Sequence, residues 1–199
     1  MSIEHKKNID STYSFSKLSF KKHAQIEIRE SIDTCIGIIK NILKFTSKFT
    51  PIKSIFDINQ KQYLDTDSES SDNESENMEI ISKMEIDEFI ERIVNYLHID
   101  NTLLVLSMMI LDKVLANKFI LTENNVHKMI FICFMETQKF YEDENFKNKD
   151  YALVCGVSVD ELLLMEVSFM ELINFNLFIK DEDYQNYYKN FIQLCKSFN

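Results

Sequence analysis

The alternation of apolar and polar positions along the chain predicts amphipathic helices. In the N-terminal part, apolar residues recur at alternating steps of four and three residues, at Ile28, Ile32, Cys35, Ile39 and Ile42. This is the spacing of one helical face, so the stripe predicts a helix that docks on the rest of the chain or on a partner. The same period recurs after residue 85, at Ile86, Phe89, Ile90, Ile93, Val94 and Leu97.

Two later segments are apolar nearly all round, residues 102–116 and residues 126–141. Helices without a polar face belong in the middle of a bundle, so these two are predicted to be central. Ser82 and Ser158 each begin the pattern Ser-x-x-Glu of a capping box, and they predict the starts of two further helices. A last helix is predicted from Asp181 onward. The pattern therefore predicts an all-α fold.

Composition supports this fold class. The 199 residues include only 2 Gly and 1 Pro, while 45% of the residues are hydrophobic. Phosphate-cradling loops, β-hairpins and sets of βα turns each consume several Gly or Pro residues, so dinucleotide folds, P-loop enzymes and β-sandwiches are excluded. The length suits one domain, or one domain with an extension.

Charge divides the chain into three parts. Residues 65–80 contain seven acidic residues and no basic one, and they are predicted to be an acidic, disordered linker. The linker separates an N-terminal helical extension, residues 1–64, from the main helical region, residues 81–199. The formal net charge of −10 argues against a nucleic-acid partner.

The acidic linker contains two weak motifs. Residues 65–76 place oxygen-bearing side chains at the ligand positions of an EF-hand calcium loop, but Ser70 stands where that loop needs glycine. Ser71 lies next to Asp72 and three residues before Glu74, a pattern typical of acidophilic phosphorylation. Phosphorylation of Ser71 is the preferred interpretation, and no metal is expected.

The expected compartment is intracellular. The four cysteines are Cys35, Cys133, Cys155 and Cys195; they lack the paired spacing of metal ligands and are predicted to be reduced, buried thiols. The N-terminal residues do not resemble a secretory signal. The longest apolar run, residues 103–111, is shorter than the roughly 20 residues of a membrane span, so no membrane partner is expected.

Two charged residues fall on apolar helical faces. Glu166 lies in a stripe formed by Val159, Leu162, Leu163, Phe169, Met170 and Ile173, and Lys139 lies four residues after Met135. A charge on a burying face is costly unless an opposite charge or a hydrogen-bond donor meets it. Lys139 and Glu166 are therefore predicted either to pair as a structural salt bridge, or to form a polar clamp for the backbone of a partner, or both.

The order of short motifs from residue 89 onward resembles the cyclin box, and more narrowly the P-type (U-type) cyclins with a single box. The motifs are residues 89–93 (FIERI), 111–113 (LDK), 125–128 (NVHK), 139–143 (KFYED), 151–152 (YA), 156–158 (GVS), 161–162 (EL), 165–170 (MEVSFM) and 174–177 (NFNL). The resemblance implies five helices in the box, with flanking helices at both ends.

The resemblance also implies a function without chemistry of its own. Cyclins bind a cyclin-dependent protein kinase and activate it by repositioning its regulatory helix, in cell-cycle or nutrient signalling in the nucleus, the cytoplasm or both. Lys139 and Glu166 match the family's lysine and glutamate that hold the kinase main chain. Other positions matched to the kinase-facing side are Phe140, Val167, Met170, Phe175 and Leu177.

The chain departs from the family pattern before Lys139, where Glu136-Thr137-Gln138 replace small residues that are often alanines. This departure keeps open a second interpretation, a cyclin-fold scaffold that binds a kinase or another protein without activating it. A third interpretation, a helical-bundle enzyme with a carboxylate metal site, needs Glu-x-x-His pairs on facing helices, and the sequence has none. The sequence therefore predicts a regulatory protein, no enzyme and no cofactor.

Overall fold

The computed structural model describes residues 27–49, 53–57 and 84–198. This part of the chain forms helices and no strands, so the predicted all-α fold is confirmed. The helices, listed with their bounds, are α1 (Ile28–Thr46), α2 (Ile86–Tyr96), α3 (Asn101–Ala116), α4 (Val126–Tyr141), α5 (Asn148–Cys155), α6 (Val159–Leu172) and α7 (Asp181–Phe198).

Helices α3 and α4 form the centre of the bundle, as their apolar composition predicts. They pack against each other, α4 also contacts α2, α5 and α6, and α3 also contacts α1 and α7. The run from Met129 to Met135 is buried at every position. Because other helices cover most of their surface, neither needs a continuous polar face. Helices α2 to α6 correspond to the five helices of the predicted box, and α1 and α7 flank them.

The N-terminal helix docks on the bundle. The middle of its apolar stripe is buried against α2, α3 and α7, with Cys35 and Ile39 fully enclosed, whereas Ile28 at the start of the stripe is exposed and Ile42 at its end is half-buried. Two ion pairs lie along the edge of the contact with α2, between Arg29 and Glu91 at 2.7 Å and between Lys40 and Asp87 at 2.6 Å. These side chains are well exposed, so the pairs contribute little to stability. Apolar burial holds the helix in place.

The helix ends follow the local sequence in part. The Ser158 hydroxyl accepts a hydrogen bond from the amide of Glu161 at 3.1 Å, which confirms the predicted cap of α6. Helix α2 differs from its prediction, because it begins at Ile86 with Glu85 as the N-cap residue. Ser82 lies outside the described residues. Gly156 ends α5 with φ of 73°, a conformation that glycine adopts without a Cβ clash.

A buried lysine joins three segments at the start of α4. The ammonium of Lys128 donates to the Asp57 carbonyl at 2.8 Å and to the Glu161 carboxylate of α6 at 2.7 Å. Phe56, which precedes Asp57 in the short segment 53–57, is buried. Its ring packs edge-to-face with the ring of Phe119, with ring centroids 5.9 Å apart. Lys128 and Phe56 therefore attach the N-terminal region to the main helical region. Sequence reasoning named Lys128 only as part of the 125–128 motif and predicted none of these contacts.

Replacing Lys128 by methionine is expected to lower the free energy of unfolding by about 3 kcal/mol. Glu161 would keep a largely buried charge without its partner, and the Asp57 carbonyl would lose its donor. Urea unfolding at pH 7 measures the change. Lys149→Met, at an exposed position of α5, is the matched control and should stay within about 0.5 kcal/mol of the parent protein. A loss below about 1 kcal/mol for Lys128→Met would contradict a structural role.

Candidate functional site

Lys139 and Glu166 meet between α4 and α6. The ammonium of Lys139, in the last turn of α4, hydrogen bonds to Oε1 of Glu166. It also donates to Oδ1 of Asn148 at 3.0 Å and lies 5.2 Å from the centre of the Tyr151 ring. The predicted pairing is therefore confirmed. Helix α5 supplies the two further contacts, which the sequence did not indicate.

The ion pair lies at the surface of the bundle and is not sealed within it. Each of the two side chains is 21% exposed. A carboxylate can accept about four hydrogen bonds, and Glu166 interacts with Lys139 and with the carboxyl of Glu136. The pair thus keeps hydrogen-bonding capacity at a place that another polypeptide can reach. This geometry satisfies both interpretations left open by the sequence, a structural salt bridge and a polar clamp.

Glu136 lies one helical turn before Lys139 and is only 7% exposed. Burial, together with the neighbouring charge of Glu166, raises the pKa of this carboxyl to about 8, against the opposing effect of Lys139. At neutral pH Glu136 is therefore mostly protonated and uncharged, and it can donate a hydrogen bond to Glu166. Within the described residues its Oε1 atom is buried without a hydrogen-bond partner.

The other two polar residues before Lys139 are also buried. Gln138 donates to the Leu97 carbonyl at 2.7 Å and accepts from the Tyr151 hydroxyl at 2.9 Å, so both ends of its amide are engaged. The Thr137 hydroxyl is fully buried and has no partner in the part of the chain that the structure describes. These residues face inward, and Gln138 ties α4 to α2 and α5 directly behind the Lys139 pair.

Exposed apolar side chains lie on the elements that carry the pair. Phe140 follows Lys139 and Val167 follows Glu166, and both are exposed, while Met170 is half-buried one turn further along α6. Phe175, just beyond α6, is 70% exposed. Leu177 differs from these positions, because its side chain is 5% exposed and packs in the core. A direct partner contact by the Leu177 side chain does not fit the structure.

Sequence reasoning missed part of this apolar surface. Leu163, Leu164 and Phe178 are also exposed. The stripe predicted to be buried along α6 was wrong at Leu163 and at Val159, which are both exposed, whereas Leu162 and Phe169 are buried as predicted. Helix α6 is apolar on two sides, and only one of them can face the core. Because hydrophobicity alone does not distinguish the two sides, the pattern gave no signal for the exposed one.

The segment after α6 is held rigidly. Asn174 and Phe175 adopt left-handed backbone conformations, with φ of 52° and 55°, and the amide of Phe175 donates to the Met170 carbonyl at 2.8 Å. Positive φ is uncommon for a bulky aromatic residue and costs free energy. The Phe175 side chain lies mostly outside the core, so its own burial does not offset this cost. Such strain on an exposed aromatic residue is typical of a functional position.

Two side chains from the central helices anchor the same segment. Lys113 of α3 donates to the carbonyls of Asn176 at 3.0 Å and Phe178 at 2.8 Å. The Tyr141 hydroxyl of α4 accepts from the amide of Ile179 at 2.9 Å and donates to the Leu177 carbonyl at 3.2 Å. Phe175 and Phe178 are therefore presented on a fixed backbone just after α6, the helix that carries Glu166. We call this area, formed by Lys139, Glu166 and the exposed apolar residues on α4, α6 and residues 175–178, the clamp surface.

Several predicted features lie outside the clamp surface. Ser71 and the calcium-like loop at 65–76 fall outside the described residues. Among the residues that are described, no cluster of three or more His, Cys, Asp or Glu side chains could hold a metal ion, and none of the helices is long and apolar enough to cross a membrane. The four cysteines are unpaired and buried, as predicted.

Comparison with known proteins identifies the family to which the chain belongs. Residues 14–177 match the family model for the cyclins, and the chain therefore belongs to the cyclin family. The matched range begins before α1, so it includes the N-terminal helix as well as the five central ones.

The more similar relatives include P-type and U-type cyclins. Cyclin-U2-1 of Arabidopsis thaliana is 28% identical over 109 residues, which cover 54% of this chain and 49% of that protein. The PHO85 cyclin-like protein psl1 of Schizosaccharomyces pombe is 29% identical over 110 residues, covering 54% of this chain and 45% of psl1. PHO85 cyclin-7 of Saccharomyces cerevisiae is 24% identical over 120 residues, which cover 54% of this chain and 42% of that protein. The matches span about half the length of these relatives or less.

The raised pKa of Glu136 predicts a pH-dependent stability. The folded protein keeps a proton that the unfolded chain releases above the ordinary pKa of 4.5. The free energy of unfolding should therefore fall as the pH rises from about 4.5 to about 8, by up to about 1.4 kcal/mol per pH unit. Glu136→Gln removes this contribution while keeping a donor for Glu166. Its stability should be close to the parent's at pH 4.5 and higher by about 2–4 kcal/mol at pH 8.

Urea unfolding of both proteins across this pH range measures the difference. Glu123→Gln, at an exposed position before α4, is the control and should follow the parent protein at every pH. A constant difference between Glu136→Gln and the parent protein from pH 4.5 to 8 would show that Glu136 has no raised pKa.

Proposed function

We propose that this chain is a regulatory subunit that binds a cyclin-dependent protein kinase through the clamp surface and activates it. The observation that carries the proposal is the partly exposed Lys139–Glu166 pair, surrounded by exposed apolar side chains, on a chain of the cyclin family. Two of the similar proteins are named as cyclins, or cyclin-like proteins, of PHO85. A kinase of the PHO85 type is therefore the first partner to test.

The chemistry of the clamp surface suits the main chain of a partner. The Lys139 ammonium has a third donor beyond those given to Glu166 and Asn148, and it can serve a kinase carbonyl. The Glu166 carboxylate can accept from a kinase amide. Charge-assisted hydrogen bonds of this kind are stronger than those between neutral groups, and they fix the orientation of the bound segment.

The apolar part of the clamp surface supplies area. Phe175, Phe178 and Val167 are anchors that need no reorganisation, because their backbones are already fixed in the free protein. Aromatic side chains, Phe included, are enriched in protein–protein interfaces relative to the rest of the surface. A kinase helix packed on them would be held in one position, and an active kinase needs such a fixed helix to complete the Lys–Glu pair that holds ATP. We expect an interface of at least about 1,600 Å² in total.

In this role the chain supplies no catalytic group. It acts inside the cell, in the nucleus or the cytoplasm, where its kinase partners act. Its four buried thiols, unpaired in the structure, are consistent with a reducing compartment. A scaffold that binds a kinase without activating it is the second candidate. The observation in its favour is the set of buried polar residues from Glu136 to Gln138, directly behind the ion pair.

Kinase assays decide between the two candidates. Purified chain is added to the PHO85 kinase of budding yeast, and to a panel of other cyclin-dependent kinases, and both binding and substrate phosphorylation are followed. We expect at least one kinase to bind the chain at micromolar or lower concentration. We also expect the chain to accelerate substrate phosphorylation by that kinase at least tenfold. Binding without acceleration would favour the scaffold. Absence of binding across the panel would contradict both.

The ion pair is tested by a double variant, because removing one member of a buried pair costs about 3–5 kcal/mol and confounds folding with binding. Lys139→Met with Glu166→Met replaces both charges by apolar side chains of similar length. Its free energy of unfolding should stay within about 1.5 kcal/mol of the parent's. Its kinase affinity should fall about 30-fold or more, since the partner's main chain would lose both charged contacts. An affinity within threefold of the parent's would contradict the clamp.

The apolar part is tested at two residues of nearly equal exposure. Val167 is 58% exposed and follows Glu166 in α6. Leu153 is 56% exposed and lies on α5, where its carbonyl accepts a hydrogen bond from Arg92. Val167→Asp places a charge in the proposed interface and should weaken kinase binding at least tenfold with stability unchanged. Leu153→Asp is the matched control and should bind as the parent protein does. Equal effects of the two substitutions would contradict the proposed orientation.

A further inference from the structure

Glu136 lies in a cluster of ionisable groups contributed by three helices. From α4, Lys139 and Cys133 face it, and from α6 and α5, Glu166 and Tyr151 face it. Burial raises the pKa values of the Cys133 thiol and the Tyr151 hydroxyl well above neutral, so both groups are uncharged. The charge of the cluster therefore depends on two carboxyls and one ammonium.

One lysine cannot neutralise two carboxylates. With both carboxyls ionised, the cluster would hold one uncompensated negative charge at a site where Glu136 is 7% exposed. If the carboxyls of Glu136 and Glu166 share one proton, a single negative charge faces the Lys139 ammonium and the cluster is neutral. Glu136 lies one helical turn before Lys139, and its Oε1 atom is buried without a partner among the described residues, while Glu166 meets the same lysine. This placement suits a proton shared between the two carboxyls.

We propose that Glu136 is a positioning residue of the clamp surface that makes kinase binding depend on a proton. In the protonated form its carboxyl donates to Glu166 and holds that side chain beside Lys139. Loss of the proton leaves two carboxylates competing for one ammonium, which displaces Glu166 from the arrangement that the partner meets. The proposal rests on the proposed function, and it assigns a regulatory property to the same surface.

Binding and proton retention are linked. Lys139 and Glu166 are each 21% exposed in the free chain, and a partner seated on them removes the remaining water. A further buried negative charge then becomes more costly, so the bound state holds the proton more strongly than the free state. Kinase affinity should consequently fall as the pH rises through the titration of Glu136, by at most tenfold per pH unit for one proton.

This pH dependence of kinase affinity is a property of this chain and does not follow from the cyclin-box pattern that it resembles. The related pattern has small residues before the lysine, and these carry no titratable side chain. The uncharged Tyr151 and the amide of Asn148, on the other side of Lys139, do not titrate near neutral pH. Within the described cluster, Glu136 is the group whose charge changes near pH 8.

The test measures the affinity for the kinase retained in the binding panel, from pH 6.5 to pH 9. For the parent chain we expect affinity to fall about tenfold between pH 7 and pH 9. Glu136→Gln, which keeps a donor toward Glu166 but cannot ionise, should bind as the parent does at pH 6.5 and lose less than threefold by pH 9. Glu123→Gln, an exposed control, should follow the parent. Titration of the kinase itself affects all three proteins equally, so the comparison removes it.

Calorimetry in two buffers of different ionisation enthalpy gives a second readout. Near pH 8 the parent chain should take up a fraction of a proton on binding, and Glu136→Gln should take up none. Far-UV circular dichroism at each pH verifies that the variants stay helical. Equal pH dependence and equal proton uptake in the parent and Glu136→Gln would overturn the inference while leaving the proposed function intact. Failure of the parent to bind any kinase at any pH would instead overturn the proposed function.

Discussion

The ion pair between Lys139 and Glu166 is the interaction on which the candidate site depends. It joins α4 to α6 at the surface, and the contacts of Lys139 with Asn148 and Tyr151 bring α5 into the same arrangement. Removing two charges from water costs free energy, so a partly buried ion pair adds little net stability to the fold, and stability alone does not explain why the pair is here. Its partial exposure and its open hydrogen-bonding capacity give a reason, since a partner's main chain can complete it.

The rest of the fold keeps this pair and its surroundings in place. The apolar helices α3 and α4 form a centre that the other helices cover, and Lys113 and Tyr141, which extend from them, fix the backbone of residues 176–179. The exposed aromatic residues just after α6 are thus held by the core and not by their own contacts. A preorganised surface loses little entropy on binding, which favours affinity. The strained backbone at Phe175 is consistent with this arrangement.

The sequence pattern predicted six of the seven described helices, and the pairing of Lys139 with Glu166, because each depends on a simple pattern. It did not indicate α5 (Asn148–Cys155), which only the resemblance to the five-helix box implied. The helices follow from the spacing of apolar residues, and the two charges were conspicuous since they interrupt such a spacing. The burial of Cys35 and Ile39 in α1 followed for the same reason. The order of the cyclin motifs then indicated the family that the matched range of residues shows.

The features that the sequence did not predict depend on tertiary geometry. Lys128 lies in the first turn of α4, where a lysine is usually solvated, and only the fold brings the Asp57 carbonyl and Glu161 to it. The burial of Leu177 follows from the chain reversal after α6, and the exposure of Leu163 follows from which side of α6 meets the core. The raised pKa of Glu136 likewise requires the approach of Glu166 from another helix.

We propose that a kinase contacts this chain at the Lys139–Glu166 pair. Photo-crosslinking tests it most directly, with a photoreactive amino acid placed in turn at Phe140, which follows Lys139, and at exposed Tyr96 on α2, in complex with the bound kinase. Mass spectrometry then identifies the crosslinked kinase residues. We expect crosslinks from position 140 to the regulatory helix of the kinase and none from position 96. Crosslinks to the kinase from position 96 alone would contradict it.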